Sequence, residues 1–390
     1  MVVLMNNAKN FFRYTLLLAF LIGAVLQSGC VTTPKPVDQE EAVFFPDPPA
    51  PPRLQFLRSF TTSDDIEAGA SAFDSFLTGD ASKGYHLVKP YGVAIKDGSL
   101  YVCDSQATVV VFDLKNKKFH TMEGAKGLGK VVQPLNISLD SQGNKFVADP
   151  VRGEVLMYDN KDFYVKSFGA AGQWKPVDAA AYDGQLYVVD AKEREIKVFD
   201  IASGEKIRSL GRSNKPEENL GLPTGITIDA EGLLYISDSG RFQVVVYDRD
   251  GHQRNAIGRP GANLGHFARP RGVATDREGR VFAVDAAFEN VQIFRNDGQL
   301  LLFFGGSGTG PGKLFLPADV FIDYDNVEYF RQDADPNFDI EYLVFVTSQF
   351  GQRLVNVYGF GKEKGRTYPS EDELVEKAEQ KLKQWQKESK

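Results

Sequence analysis

Cysteine, histidine and cationic excess are all scarce in this chain. Cys30 and Cys103 are the only cysteines among 390 residues, too few for a disulfide framework. No CxxCH occurs, so no c-type haem is attached. The histidines are four, His86, His120, His252 and His266, whereas zinc requires several ligands that converge. Lysine and arginine number 45 against 52 acids, for a formal charge of -7. An acidic chain without a basic stripe is a poor partner for nucleic acid. The apolar run 15–26 is too short for a comfortable membrane span. Apolar residues make up 42% of the chain and aromatics 12%, which is ample for a large core.

The apolar run follows Lys9 and Arg13 and ends in Leu26-Gln27-Ser28-Gly29-Cys30. A basic start, a short apolar stretch and small residues make an export signal rather than a structural element. The ending resembles the lipobox of bacterial lipoproteins, although Gln27 stands where an apolar residue is usual. That resemblance implies removal of 1–29, lipidation of Cys30, and a membrane tether on the periplasmic side or at the outer membrane. Several acyl chains, at about 0.8 kcal/mol per buried methylene, hold where one would not. The next stretch, 30–52, carries Pro34, Pro36, Pro46, Pro48, Pro49, Pro51 and Pro52. It is read as a semi-rigid polyproline spacer.

The remainder is repetitive. Pro90, Pro134, Pro176, Pro223, Pro270 and Pro317 each open a strand, at intervals of 44, 42, 47, 47 and 47 residues. Two places later stand Gly92, Asn136, Asp178, Gly225, Gly272 and Asp319. Five second strands end in an acid, at Asp104, Asp149, Asp190, Asp238 and Asp285, and the sixth has Ser348. Asp side chains accept backbone hydrogen bonds and stabilise turns, so these recurrent acids are assigned to turns. Four strands at a fixed period indicate a six-bladed β-propeller, all-β in class, over 53–361. LPTGITIDAEGLLYISDSGRFQVVVYD, at 222–248, resembles an NHL-type repeat. The whole chain is similar to bacterial six-bladed NHL propeller lipoproteins, a resemblance that supplies no catalytic residues.

Counting strands shows how the ring closes. The sixth repeat has no fourth strand, and residues 53–60 resemble 163–168, so the N-terminal strand is expected to complete blade six. Helical spacing of Ile66, Ala70, Phe73 and Leu77 predicts a short helix before blade one. Ser370 and Glu373 predict a capping box for a helix in the charged tail 362–390, with Leu374, Ala378, Leu382 and Trp385 as its apolar stripe. The Gly-rich stretch 304–312 has no helix behind it to hold a phosphate, and is read as an inter-blade link.

Three channel-side polar residues, Asn136, Asp178 and Asp319, are the candidate ligand site, with oxygens of the kind that suit a hard cation. The matching positions in the other three blades are glycines, and no catalytic residue, metal or cofactor is assigned. Blade six breaks the pattern with an insertion between its first and second strands. Tyr329, Phe330 and Phe338 in that insertion, with Trp385 in the tail, either form a partner surface, because aromatics among charges suit interfaces, or pack back onto the propeller wall. The function expected is a lipid-anchored, non-enzymatic scaffold that binds an envelope protein. The alternative is a metal-dependent lyase or lactonase acting at the channel mouth.

Overall fold

A computed structural model describes residues 42–67, 84–106, 108–373 and 376. Their strands form six antiparallel sheets, five with four strands and one with five, each a blade. The apolar, β-branched and aromatic runs seen in the sequence are the strands. Alternate side chains point to opposite faces of each blade, and both faces are covered by neighbouring blades. The core is accordingly divided into six apolar clusters, one at each blade–blade interface.

In five blades the second strand ends in a buried acid that ties the loops together. Asp238 accepts the amides of Gly221 and Leu222 at 2.7 and 2.8 Å, and those of Gly240 and Arg241 at 2.9 and 3.1 Å. Asp149 and Asp285 do the same in their own blades. In blade six the uncharged Ser348 hydroxyl takes the place, accepting the Phe315 amide at 3.2 Å. The Gly-rich link behind blade five uses positive φ at Gly305, Gly306 and Gly312, at 93°, 90° and 71°, which only glycine adopts without cost.

Blade six closes the ring. Leu54–Phe60 pairs antiparallel with Val355–Glu363, from Leu54 opposite Phe360 to Phe60 opposite Val355. Phe60 is fully buried and carries the closure into blade one, with ring centroids 5.1 Å from Phe112 and 6.3 Å from Phe330.

Two regions, the Pro-rich stretch and the blade-six insertion, refine the sequence reading. The Pro-rich stretch is not all spacer: Phe44–Phe45 adds a fifth strand to blade six against Leu54 and Gln55, and Phe45 is buried in the core. Two apolar rings beside the prolines give that segment something to bury. Phe330 and Phe338 do not form an exposed surface, being 1% and 4% exposed. Phe330 packs on Phe345 at 5.7 Å, and Phe338 packs on Phe44 at 5.6 Å. The insertion is also partly strand, because Phe338–Ser348 and Val355–Glu363 form a ribbon longer than the other blades use.

Ahead of blade one, Ser63–Asp65 is a 3-10 turn, and most of the expected helix lies outside the described residues. At the other end, Ser370 Oγ accepts the Glu373 amide at 3.2 Å while Glu373 accepts the Ser370 amide at 3.1 Å. That is the expected capping box. Leu374, Ala378, Leu382 and Trp385 lie outside the described residues.

The closure generates a stability prediction. Phe60→Ala removes a fully buried ring shared by two blades and is expected to cost about 3–5 kcal/mol. Urea denaturation monitored by intrinsic fluorescence checks it; a loss below about 1 kcal/mol would show that the strand is not an integral part of the ring.

Candidate functional site

The first strands line the central axis, so the residue two places after each opening proline faces five equivalents. Six side chains cannot share that space, and three of the six positions are glycines. A Cβ at Gly92 would fall 2.2 Å from Asn136 Oδ1, and one at Gly272 would fall 2.5 Å from Asp319 Oδ1. Asn136, Asp178 and Asp319 therefore meet at the axis as expected, each no more than 6% exposed.

The three are tightly engaged. Asn136 Oδ1 accepts the Ile137 amide at 2.8 Å. Asp178 accepts Ala179 through Oδ1 and Ile226 through Oδ2, both at 2.8 Å. Asp319 Oδ2 accepts the Val93 amide at 3.4 Å, and the Asn136 side chain hydrogen-bonds both carboxyl groups. Burial, and then the neighbouring Asp319, hold the Asp178 carboxyl well above the usual carboxylate range. Burial pushes Asp319 up to about 7. Two carboxyls in one buried site favour a shared proton over two charges.

A cavity of about 180 Å³ reaches this cluster, bordered by Ser138, Leu139, Thr227, Thr275 and Ile322, and no lysine, arginine, histidine or cysteine lines it. A calcium-like cation needs six to eight oxygens. Here the Asn136 oxygen, both Asp178 oxygens and Asp319 Oδ2 already accept amides. The donor set fits a proton better than a hard cation. On the proline side, Arg271 Nη1 donates to the Tyr91 hydroxyl at 2.8 Å, reaching from blade five to blade one. The sequence carried a signal for that bridge, since both residues sit directly between the proline and the glycine of their repeats.

The four histidines do not assemble. Among the described residues, one group combines metal-ligand types, Asp248, Asp250 and His252. It is an exposed turn whose Asp248 Oδ1 already accepts the Asp250 and His252 amides at 3.0 and 2.9 Å.

The larger concavity lies beside blade six, where the added strand, the long ribbon and the start of the tail meet blade five. This cleft of about 680 Å³ is bordered by Arg53, Arg280, Leu301, Phe360, Tyr368 and Glu371. The Arg53 and Arg280 guanidinium carbons lie 4.5 and 4.9 Å from the Phe360 ring centroid. Tyr342 stacks on the same ring at 4.6 Å. Arg280 bridges Asp276 at 3.0 Å, Glu278 at 3.1 Å and Glu371 at 3.4 Å. Of the three expected partner-surface residues that the structure describes, Tyr329 alone keeps partial exposure, and it packs against the Gly98 turn of blade one rather than this cleft.

Fold and axis define the class, a six-bladed β-propeller. Residues 220–247, in blade four, match the NHL repeat family model. Solved structures of low identity share the architecture. A gluconolactonase from Xanthomonas campestris is 15% identical, with a TM-score of 0.50 over 79% of this chain and 89% of that one. An auxiliary nutrient binding protein from Bacteroides thetaiotaomicron is 14% identical, with a TM-score of 0.53 over 70% of each chain. A streptogramin B lyase is 11% identical, with a TM-score of 0.50 over 71% of this chain and 84% of its own. No curated protein matches the sequence.

The raised carboxyls make stability pH-dependent. A carboxyl raised in the folded state contributes stability that is full below the unfolded value, about 3.9, and is lost as pH rises through the folded value. For Asp319 that loss runs up to about 7, at no more than about 1.4 kcal/mol per pH unit for each proton. Asp319→Asn is expected to flatten this part of the profile, read as urea midpoints between about pH 5 and about pH 8. Parallel profiles for the two proteins would contradict the assignment.

Proposed function

We propose that this chain is a lipid-anchored, non-enzymatic scaffold of the bacterial cell envelope that binds another protein beside blade six. One observation carries the reading: the N-terminal segment that follows the added strand, the long ribbon and the start of the tail all border one cleft of about 680 Å³. Aromatic and arginine side chains dominate the energetics of protein interfaces, and Arg53, Arg280, Phe360 and Tyr368 supply them here. The regular blades offer a rigid body, and the axial oxygens are engaged by backbone amides. The anchor rests on the signal-like N-terminus and Cys30, which lie outside the described residues. The rival reading, a metal-dependent lyase or lactonase at the channel mouth, has the paired axial carboxyls in its favour and their hydrogen bonding against it.

Two measurements test the proposal. Cys30→Ser is expected to move the protein from the membrane to the soluble fraction; retention on membranes would refute the lipid anchor. For the partner, crosslinking in native membranes is expected to capture a protein with the wild type. Charge at the cleft, in Leu301→Glu with Lys362→Glu, should reduce that capture by about tenfold or more, as losing a central contact does. Lys206→Glu, on the outer strand of blade three, should leave it unchanged. Equal capture by the cleft variant and the wild type would sink the proposed surface.

A further inference from the structure

The second strand of every blade carries a core residue four places before its terminal acid, or before Ser348 in blade six. Leu100, Leu186, Leu234, Val281 and Val344 hold that position in five blades, each 0% exposed. Blade two has Lys145 there, and it is 2% exposed. Burying an ammonium group is costly even when it is paired, and an apolar residue of similar size usually does as well or better. The other five blades show that this fold does not need the charge.

The surroundings of Lys145 form a built polar site. Its ammonium donates to Asp162 Oδ1 at 2.6 Å and to the Asp159 carbonyl at 3.1 Å. It also lies 5.1 Å from the Tyr101 ring centroid. Tyr101 donates its hydroxyl to Asp162 Oδ1 at 3.1 Å. Burial, reinforced by the Asp162 charge, pushes the Tyr101 hydroxyl pKa up, so it remains a donor. An ammonium carries three N–H groups, and the third has no partner among the described residues. Beside it opens a cleft of about 260 Å³ between blades one and two, bordered by Lys96, Ser99, Gln142, Asn160 and Lys161 as well as Lys145. Three lysines and one acid, Asp97, line it; Lys145 is paired with Asp162, and Lys96 lies 3.9 Å from Asp325.

We propose that this cleft binds a small hydroxylated oxyanion, either a carboxylate or a phosphate. Lys145 is the fixed cation at its base, oriented by Asp162 and Tyr101. Lys96 and Lys161 add charge at the rim, which suits a multiply charged oxyanion. Gln142, Asn160 and Ser99 offer both donors and acceptors, the complement of hydroxyl groups. At about 30 Å³ per water, the space holds roughly nine water-sized groups, the size of a three-carbon phosphate or hydroxy acid. The site is independent of the cleft beside blade six.

Calorimetric titration of the intact folded chain with glycerol 3-phosphate, glycerate and glycerol tests this directly. At least one anion is expected to bind while glycerol does not, and the anion that binds tells phosphate from carboxylate. Lys161→Ala and Lys96→Ala change the rim, away from the buried ion pair, and each should weaken that anion by about tenfold. Lys145→Met, which restores the apolar residue of the other blades, should abolish binding while the protein stays folded. If Lys145→Met fails to fold, the rim variants carry the test. No heat from either anion, glycerol binding equal to the anions, or rim variants that bind like the wild type would overturn the proposal.

Discussion

The pairing of Leu54–Phe60 with Val355–Glu363 is the constraint on which this molecule depends. Without it, the outer edge of Val355–Glu363 would expose unpaired amides and carbonyls, a template for aggregation. The same pairing fixes where the ends of the chain must go. The segment before Leu54 has to leave along blade six, and it adds Phe44–Phe45 to the same sheet. The segment after Glu363 starts there as well, and Arg366 and Tyr368 hydrogen-bond the carbonyls of Pro49 and Pro52 at 2.6 and 2.8 Å. Closure thus brings the described segments on either side of it, 42–53 and 364–373, together along blade six.

At the axis the constraint is room rather than pairing. Three glycines leave space for one amide and two carboxyls, and those groups hold neighbouring blades by accepting amides from them, as Asp178 does from Ile226 and Asp319 from Val93. The buried carboxyls resist ionisation, which links the ring's stability to pH. Further out, the terminal acids of the second strands accept loop amides and tie the loops of one blade together, as Asp238 does. One residue type therefore serves two structural roles, at the axis and in the loops.

Much of the fold was legible because a repeat states its rule several times. The recurring prolines marked the first strands, the recurring acids marked the loop ties, and Ser348 marked where the pattern changed. Counting strands located the missing edge at residues 53–60. Single-copy features were harder to read. Phe330 and Phe338 look like interface aromatics in an acidic insertion, yet their rings pack on Phe60, Phe345 and Phe44, long-range contacts that carry no local signal. Pro46 to Pro52 look like a spacer because their prolines outweigh the two phenylalanines before them. Asn136, Asp178 and Asp319 were identifiable by register, but two of the amides that occupy their oxygens, Ile226 and Val93, come from strands distant in sequence. Lys145 was visible in principle, as the one charged residue in a column of leucines and valines.

Native-state hydrogen exchange across the ring tests the closure most directly. If Leu54–Phe60 seals the propeller, the amides of Val355–Phe360 exchange only with global unfolding, as slowly as those of Leu186–Val189 inside blade three. Exchange in Val355–Phe360 that runs ahead of blade three, at the rate of a fraying edge, would show that blade six opens by itself and that the ring is not closed by its N-terminal strand.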